Sequence, residues 1–172
     1  MAATYTESAL AVAFGNGKSM ASIFNGAGSG VVLRIYRIWV LNNQTAAVTG
    51  VLTTWALRRT SAQTGGTAIA CTKHDSTSAA IVAQVLPATG ATCTNTADIA
   101  YRQWMWSNDE PAASTATSDE MECIVPLNCV WDSTGDSNIE PIVLRESQGI
   151  NVQHTGTSVV GIADIFIEFT VT

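Results

Sequence analysis

The residues best equipped for chemistry are few. The chain has two histidines and four cysteines. One histidine stands in Cys71-x-x-His74-Asp75, the most metal-like cluster in the sequence. A structural zinc site needs a third and a fourth ligand, and His154 is the one imidazole left to supply them. Ligand number and spacing both fail, so the cluster reads as a buried thiol beside a polar turn shaped by His74 and Asp75. Serines are abundant, so a Ser-His-Asp triad can be drawn with either histidine. No G-x-S-x-G elbow or other nucleophile motif supports one. Carboxylate pairs occur at Asp109-Glu110 and Asp119-Glu120. Glycoside hydrolysis needs two carboxyls held apart by rigid elements. These pairs instead bracket Ser107 to Asp119, a small, polar, low-complexity stretch that reads as a long exposed loop. The expectation is no catalytic residue, no metal and no cofactor, with a hydrolase the least supported class.

Cys71, Cys93, Cys123 and Cys129 contain no C-x-x-C pair, which disfavours zinc and thioredoxin-type chemistry, and the sequence does not choose among their three possible pairings. The opening MAATYTESALAVAF lacks a basic region before its short apolar run, so it does not read as a signal peptide. A cytoplasmic site of synthesis is expected, and thiols stay reduced there. Buried free thiols are therefore expected ahead of disulfides. Net charge is −6, and the basic residues do not form a patch apart from Arg58-Arg59. Nucleic acid and anionic membrane both require such a patch, so neither is an expected partner. No segment reaches the roughly 18 to 20 apolar residues of a membrane helix.

Binding is better supported than catalysis. Four of the eight basic residues, Arg34, Arg37, Arg58 and Arg59, fall in two neighbouring apolar stretches. Cations embedded in such strands need partners, either a carboxylate or an adjoining chain. Trp104 and Trp106, with Tyr101 nearby, place large rings in one short run. Such a run is a core or subunit-interface stripe, or a platform on which a sugar stacks. These four arginines and two tryptophans are the candidate assembly contacts.

The elements that position them are strands. With 172 residues the chain can bury a substantial single core. It is 47% hydrophobic and only 13% charged, and rich in Thr, Val, Ser and Gly, a composition that suits pleated sheets and turns. Val31 to Asn42 is the strongest strand. Both of its faces are mostly apolar, which predicts a central strand covered on each side. Val51 to Thr60 follows as a half-exposed neighbour. The turn Asn25 to Gly30 is glycine-rich but lacks the Lys-Ser/Thr of a phosphate cradle, and a strand follows it, so it reads as a plain loop. Ala88 to Thr96 also reads as a loop, before a strand over Ile99 to Trp106. Glu122 to Trp131 is a strand interrupted at Pro126. In the last strand Ala163, Ile165, Ile167, Phe169 and Val171 alternate inward. Roughly eight to ten strands without an amphipathic helix predict an all-β chain, an antiparallel β-sandwich of jelly-roll type. Residues 1–30 carry weaker strand signals and are expected to form a flexible N-terminal arm. Residues 31–172 are expected to form one sandwich domain.

The order of these signals carries a resemblance. It runs LRIYRIWV, ALRRTSAQTGGT, KHDSTSAAIVAQV, Trp104-Met105-Trp106, PIVLRESQGINVQ and a terminal IADIFIEFTV. Over residues 20–172 this resembles small β-sandwich structural proteins of tailed bacteriophages. The shared features are an RI-containing first strand, an RRT…GGT turn, an HD loop and an LR-x(3)-G corner. The resemblance implies a virion component, most often a decoration or cement protein on the capsid exterior. It implies the major capsid protein and copies of the chain itself as partners, often in a trimer, with synthesis in the host cytoplasm. It transfers no catalytic residue. The four cysteines and the Ser107–Asp119 loop depart from the pattern. The alternative expectation is a tail or fibre module that binds host-surface glycan through Trp104 and Trp106.

Overall fold

The computed structural model describes residues 2–43, 51–106, 127–136, 138–156 and 161–172. Among them it has twelve strands and no helix. They are β1 (Ala3–Ala13), β2 (Lys18–Asn25), β3 (Leu33–Asn42), β4 (Val51–Thr64), β5 (Thr67–Ala68) and β6 (Cys71–Lys73). They continue as β7 (Val85–Thr89), β8 (Thr92–Trp106), β9 (Leu127–Asp132), β10 (Ile142–Leu144), β11 (Gln148–His154) and β12 (Ile162–Val171).

Two antiparallel sheets pack as a β-sandwich. The first has the order β10-β3-β12-β1-β6, and β9 continues the β10 edge by pairing with Arg37–Leu41 of β3. The second has the order β5-β7-β2-β11-β4-β8. The pairing is nested: β1 with β12, β2 with β11, β3 with β9 and β10, and β4 with β8. Alternate nested pairs fall to alternate sheets, and β12–β3 and β11–β4 contacts then close each sheet. β5, β6 and β7, inserted between β4 and β8, extend one side of the sandwich.

The core lies between the sheets. β12 supplies Ala163, Ile165, Ile167 and Phe169, all fully buried, in the expected alternation. They meet Met20, Ile23, Trp55, Leu57, Ile150 and Val152 from the other sheet. Burial of this kind contributes roughly 1.5–3 kcal/mol per large aliphatic side chain.

Two expectations change. Residues 3–25 do not form an arm: β1 lies between β12 and β6, and β2 lies between β11 and β7. The sandwich therefore includes the segment assigned to the arm. Its signal was weak because Glu7, Ser19 and Ser22, all buried, dilute the apolar pattern, while its pairing partners lie far along the chain. β3 also differs from the two-sided reading. Its core residues are Leu33 and Ile35, then Ile38 and Val40. The inward phase moves by one residue because the register with β12 shifts, Glu168 facing Arg37 while Phe169 faces Ile35. A bulge of this kind turns one-sided burial into apparent two-sided hydrophobicity.

Candidate functional site

Three of the four arginines are tied within the chain. Arg37 of β3 lies 3.6 Å from Asp132 and 3.6 Å from Glu168, its cross-strand neighbour on β12. It also donates to Thr134 Oγ1 from Nε at 3.0 Å and from Nη2 at 2.7 Å. Asp132 accepts the Thr134 N–H and hydroxyl, each at 2.7 Å. Those bonds hold its carboxyl below the usual range, the backbone N–H most and Arg37 less. Arg59 leaves β4 to donate to the Val143 carbonyl of β10 at 3.1 Å, so it ties one sheet to the other. Arg34 is exposed.

Arg58 organises the outer face of the second sheet. Its Nε meets Asp98 at 2.8 Å, Nη1 donates to Gln153 Oε1 at 2.7 Å, and Nη2 donates to the Tyr101 hydroxyl at 3.0 Å. Tyr101 in turn donates to Asp98 at 2.8 Å. The planar guanidinium thus holds three partners on β8 and β11 at once, a geometry that suits its fixed fork of donors.

Beside this network the end of the β4–β8 pair bends over its own sheet. Their pairing shifts register between Leu57 and Arg58, between Arg59 and Thr60, and between Thr60 and Ala62. The bend brings Cys93 Sγ to 4.0 Å from Ser19 Oγ of β2, and Asn95 Oδ1 to 3.2 Å from Asn151 Nδ2 of β11. It also brings Gln63 Nε2 to 2.8 Å from the Leu86 carbonyl of β7. A polar trough follows this fold. One depression of about 280 Å³ is lined by Lys18, Ser19, Thr92, Asn95, Asn151 and Gln153. A second of about 290 Å³ is lined by Arg58, Asn95, Thr96 and Asp98. Asn95 lines both.

Trp104 packs against the core. Trp104 is half-buried and stacks on the fully buried Trp55, with centroids 5.6 Å apart and planes at 11°. Trp55 meets the edge of His154, and His154 stacks on Phe14 at 4.8 Å. One Trp104 face is therefore committed to the interior cluster. The side chain of Trp106 lies outside the described residues. His154 is fully buried, with Nδ1 3.2 Å from the Gly15 carbonyl. Burial lowers its pKa, so a neutral imidazole with Nδ1 protonated fits the site.

The other cluster dissolves into separate roles. His74 Nε2 lies 2.7 Å from Thr6 Oγ1, and Asp75 accepts the N–H and hydroxyl of Thr77 at 2.8 and 2.7 Å. No group of three His, Cys, Asp or Glu able to hold a metal occurs among the described residues. Cys71, Cys93 and Cys129 are free thiols. Cys123, both carboxylate pairs and the Ser107–Asp119 loop lie outside the described residues. So does the first half of the strand expected over Glu122 to Trp131, whose second half, Leu127 to Trp131, forms the larger part of β9.

A third cavity, of about 500 Å³, opens between the sheet edges carrying β6 and β7. Tyr5, Ile69, Cys71, Ile81, Val85 and Leu86 are among its walls. Next to Tyr5 on the inward face of β1 is Glu7, fully buried, with neither carboxylate oxygen bonded among the described residues. Burial raises its pKa well above the ordinary value.

Sequence reasoning found Arg58 and missed Glu7, Asn95 and Asn151. Glu7 shares the inward phase of Tyr5 and Ala9, a pattern visible in retrospect. Asn95 lay in the stretch read as a loop, and only the bend of β4 and β8 brings it to Asn151. Comparison of this chain with protein-family models, with curated proteins and with solved structures finds no match.

Proposed function

We propose that this chain is a bacteriophage virion structural protein, a capsid decoration or cement protein of jelly-roll type. In this reading it sits on the capsid exterior and joins neighbouring capsomers, with the major capsid protein and copies of itself, in a trimer, as partners. The observation that carries it is the nested strand order: β1-β12-β3-β10 faces β2-β11-β4-β8, the arrangement obtained by rolling one long hairpin into two sheets. Around that frame the reactive side chains have structural work. Cys71 is half-buried, His154 is stacked on Phe14, and Arg37 and Arg58 cross-tie strands. A rigid sandwich with a weakly charged surface suits a part added to a lattice.

The test is quantitative mass spectrometry of purified particles. Shell-scale copy number, with release by conditions that loosen capsomers, supports the reading. A copy number of a few per particle, or absence from particles, overturns it. The alternative reading is a tail or fibre module that binds host-surface glycan, for which Trp104 would have one ring face left, the other being stacked on Trp55.

A further inference from the structure

From the polar trough on the second sheet we infer that this face is a binding site for a neutral saccharide. Its floor contains Asn151, only 1% exposed. The Asn151 amide N–H2 donates to Asn95, but its Oδ1 has no partner among the described residues. An amide oxygen buried in this way costs roughly 1–3 kcal/mol unless something donates to it. It lines the depression, so a ligand hydroxyl placed there can donate the missing bond.

The surrounding groups select the ligand class. Asn95 is exposed, belongs to both depressions, and offers an amide next to the unpaired oxygen. Ser19, Thr92 and Thr96 add hydroxyls. Each sugar hydroxyl both donates and accepts, and a wall of amides and hydroxyls answers both needs. The charges in the trough are already engaged. Arg58 is paired with Asp98, and the Lys18 ammonium donates to the Ala13 carbonyl at 2.8 Å. An anion would need cations not otherwise engaged, so a phosphate or sulfate group is the poorer fit. Beyond Arg58 lies Tyr101, 50% exposed, a ring on which the apolar face of a sugar can rest. The two depressions in line, each near the small end of ligand clefts, favour a linked pair of rings over one.

The register shifts explain why the site exists at this place. Three lie on the β4–β8 pair, and a fourth lies between Val152 and Gln153 on β11. Bulges bend strands and redirect side chains, and these bring Asn95 over the sheet. The inference does not depend on a place in a virion.

The experiment is calorimetry and saturation-transfer NMR on the full chain. Neutral probes are glucose, galactose, N-acetylglucosamine and β-linked disaccharides of each. Inorganic phosphate and a sulfated disaccharide are the anionic probes. At least one neutral disaccharide is expected to bind, more tightly than its monosaccharide. Asn95→Ala and Asn151→Ala are each expected to weaken it about tenfold, the loss of one or two hydrogen bonds. Trp104→Phe is expected to leave binding unchanged. Asn95 is exposed, so its variant stays informative even if Asn151→Ala fails to fold. Absence of neutral-sugar binding at millimolar concentration, preference for the anionic probes, or binding that survives Asn95→Ala overturns the inference.

Discussion

Glu7 lies directly across from Cys71 in the β1–β6 pair, and its carboxyl acts on the protonation of the Cys71 thiol. Glu7 is fully buried without a hydrogen-bond partner among the described residues. The Cys71 thiol is pushed up to about 12, by burial first and by the neighbouring Glu7 second.

For Glu7, the folded carboxyl keeps its proton to higher pH than the unfolded one, whose ordinary value is 4.5. The folded state therefore binds more protons above that value. Its contribution to stability is fully present below pH 4.5 and is lost as pH rises toward the raised folded pKa. Glu7→Leu removes the buried acid and should stabilise the chain at pH 8 by about 1–3 kcal/mol. The gain should shrink toward pH 4. Urea unfolding of both proteins across this range checks the sign, and a gain that grows on acidification contradicts the assignment.

Cys71 should resist alkylation. At pH 8 a thiol whose pKa is about 12 is almost wholly protonated, and the thiolate is the reactive form. Iodoacetamide labelling read by peptide mass spectrometry should modify Cys71 slowly in the native chain and rapidly in urea. Glu7→Gln should speed native labelling by removing the carboxyl beside the thiol, while burial continues to hold the pKa above its usual value.

Arg58 should be irreplaceable by lysine. Arg58→Ala removes an ion pair and two further hydrogen bonds, at a cost of about 1–2 kcal/mol in this partly exposed setting. Arg58→Lys keeps the charge but cannot reach Asp98, Gln153 and Tyr101 together, so it should recover less than half of the loss. Chemical denaturation measures both variants. Full recovery by lysine would mean that charge alone, rather than the fork geometry, holds these strands.

Deleting residues 2–24 should abolish folding. Those residues contain β1 and most of β2, each hydrogen-bonded on two sides, and they bury Tyr5, Met20 and Ile23 in the core. The deletion product should be insoluble, or show no cooperative unfolding by circular dichroism. A soluble, cooperatively unfolding product would restore the picture of a detachable arm.

Much of the architecture was legible because local alternation reports one-sided burial. Ile165, Ile167 and Phe169 announce β12 without any knowledge of its neighbours. The same rule misled at β3, where Tyr36 and Arg37 occupy a bulge and the inward phase slips. A period-2 pattern cannot distinguish that slip from burial on both faces. The candidate site was less legible for a related reason. Asn95 and Asn151 lie 56 positions apart, and they meet because β4 and β8 bend at successive bulges. Nothing in either residue's neighbourhood marks that meeting. Glu7 was hidden by the ordinary expectation that a carboxylate in a strand faces water.

The nested strand pairing also sets an order of events in time. Among the described strands, β5 with β7 and β4 with β8 close the shortest connections. β3 must then wait for β9 and β10, β2 for β11, and β1 for β12. Each outer pair closes a longer loop and carries a larger entropic cost. During synthesis the first three strands emerge long before their partners, with their hydrogen-bonding edges unsatisfied. A nascent chain of this design is therefore a natural client for chaperones, and its final strand is the latch that completes the first sheet.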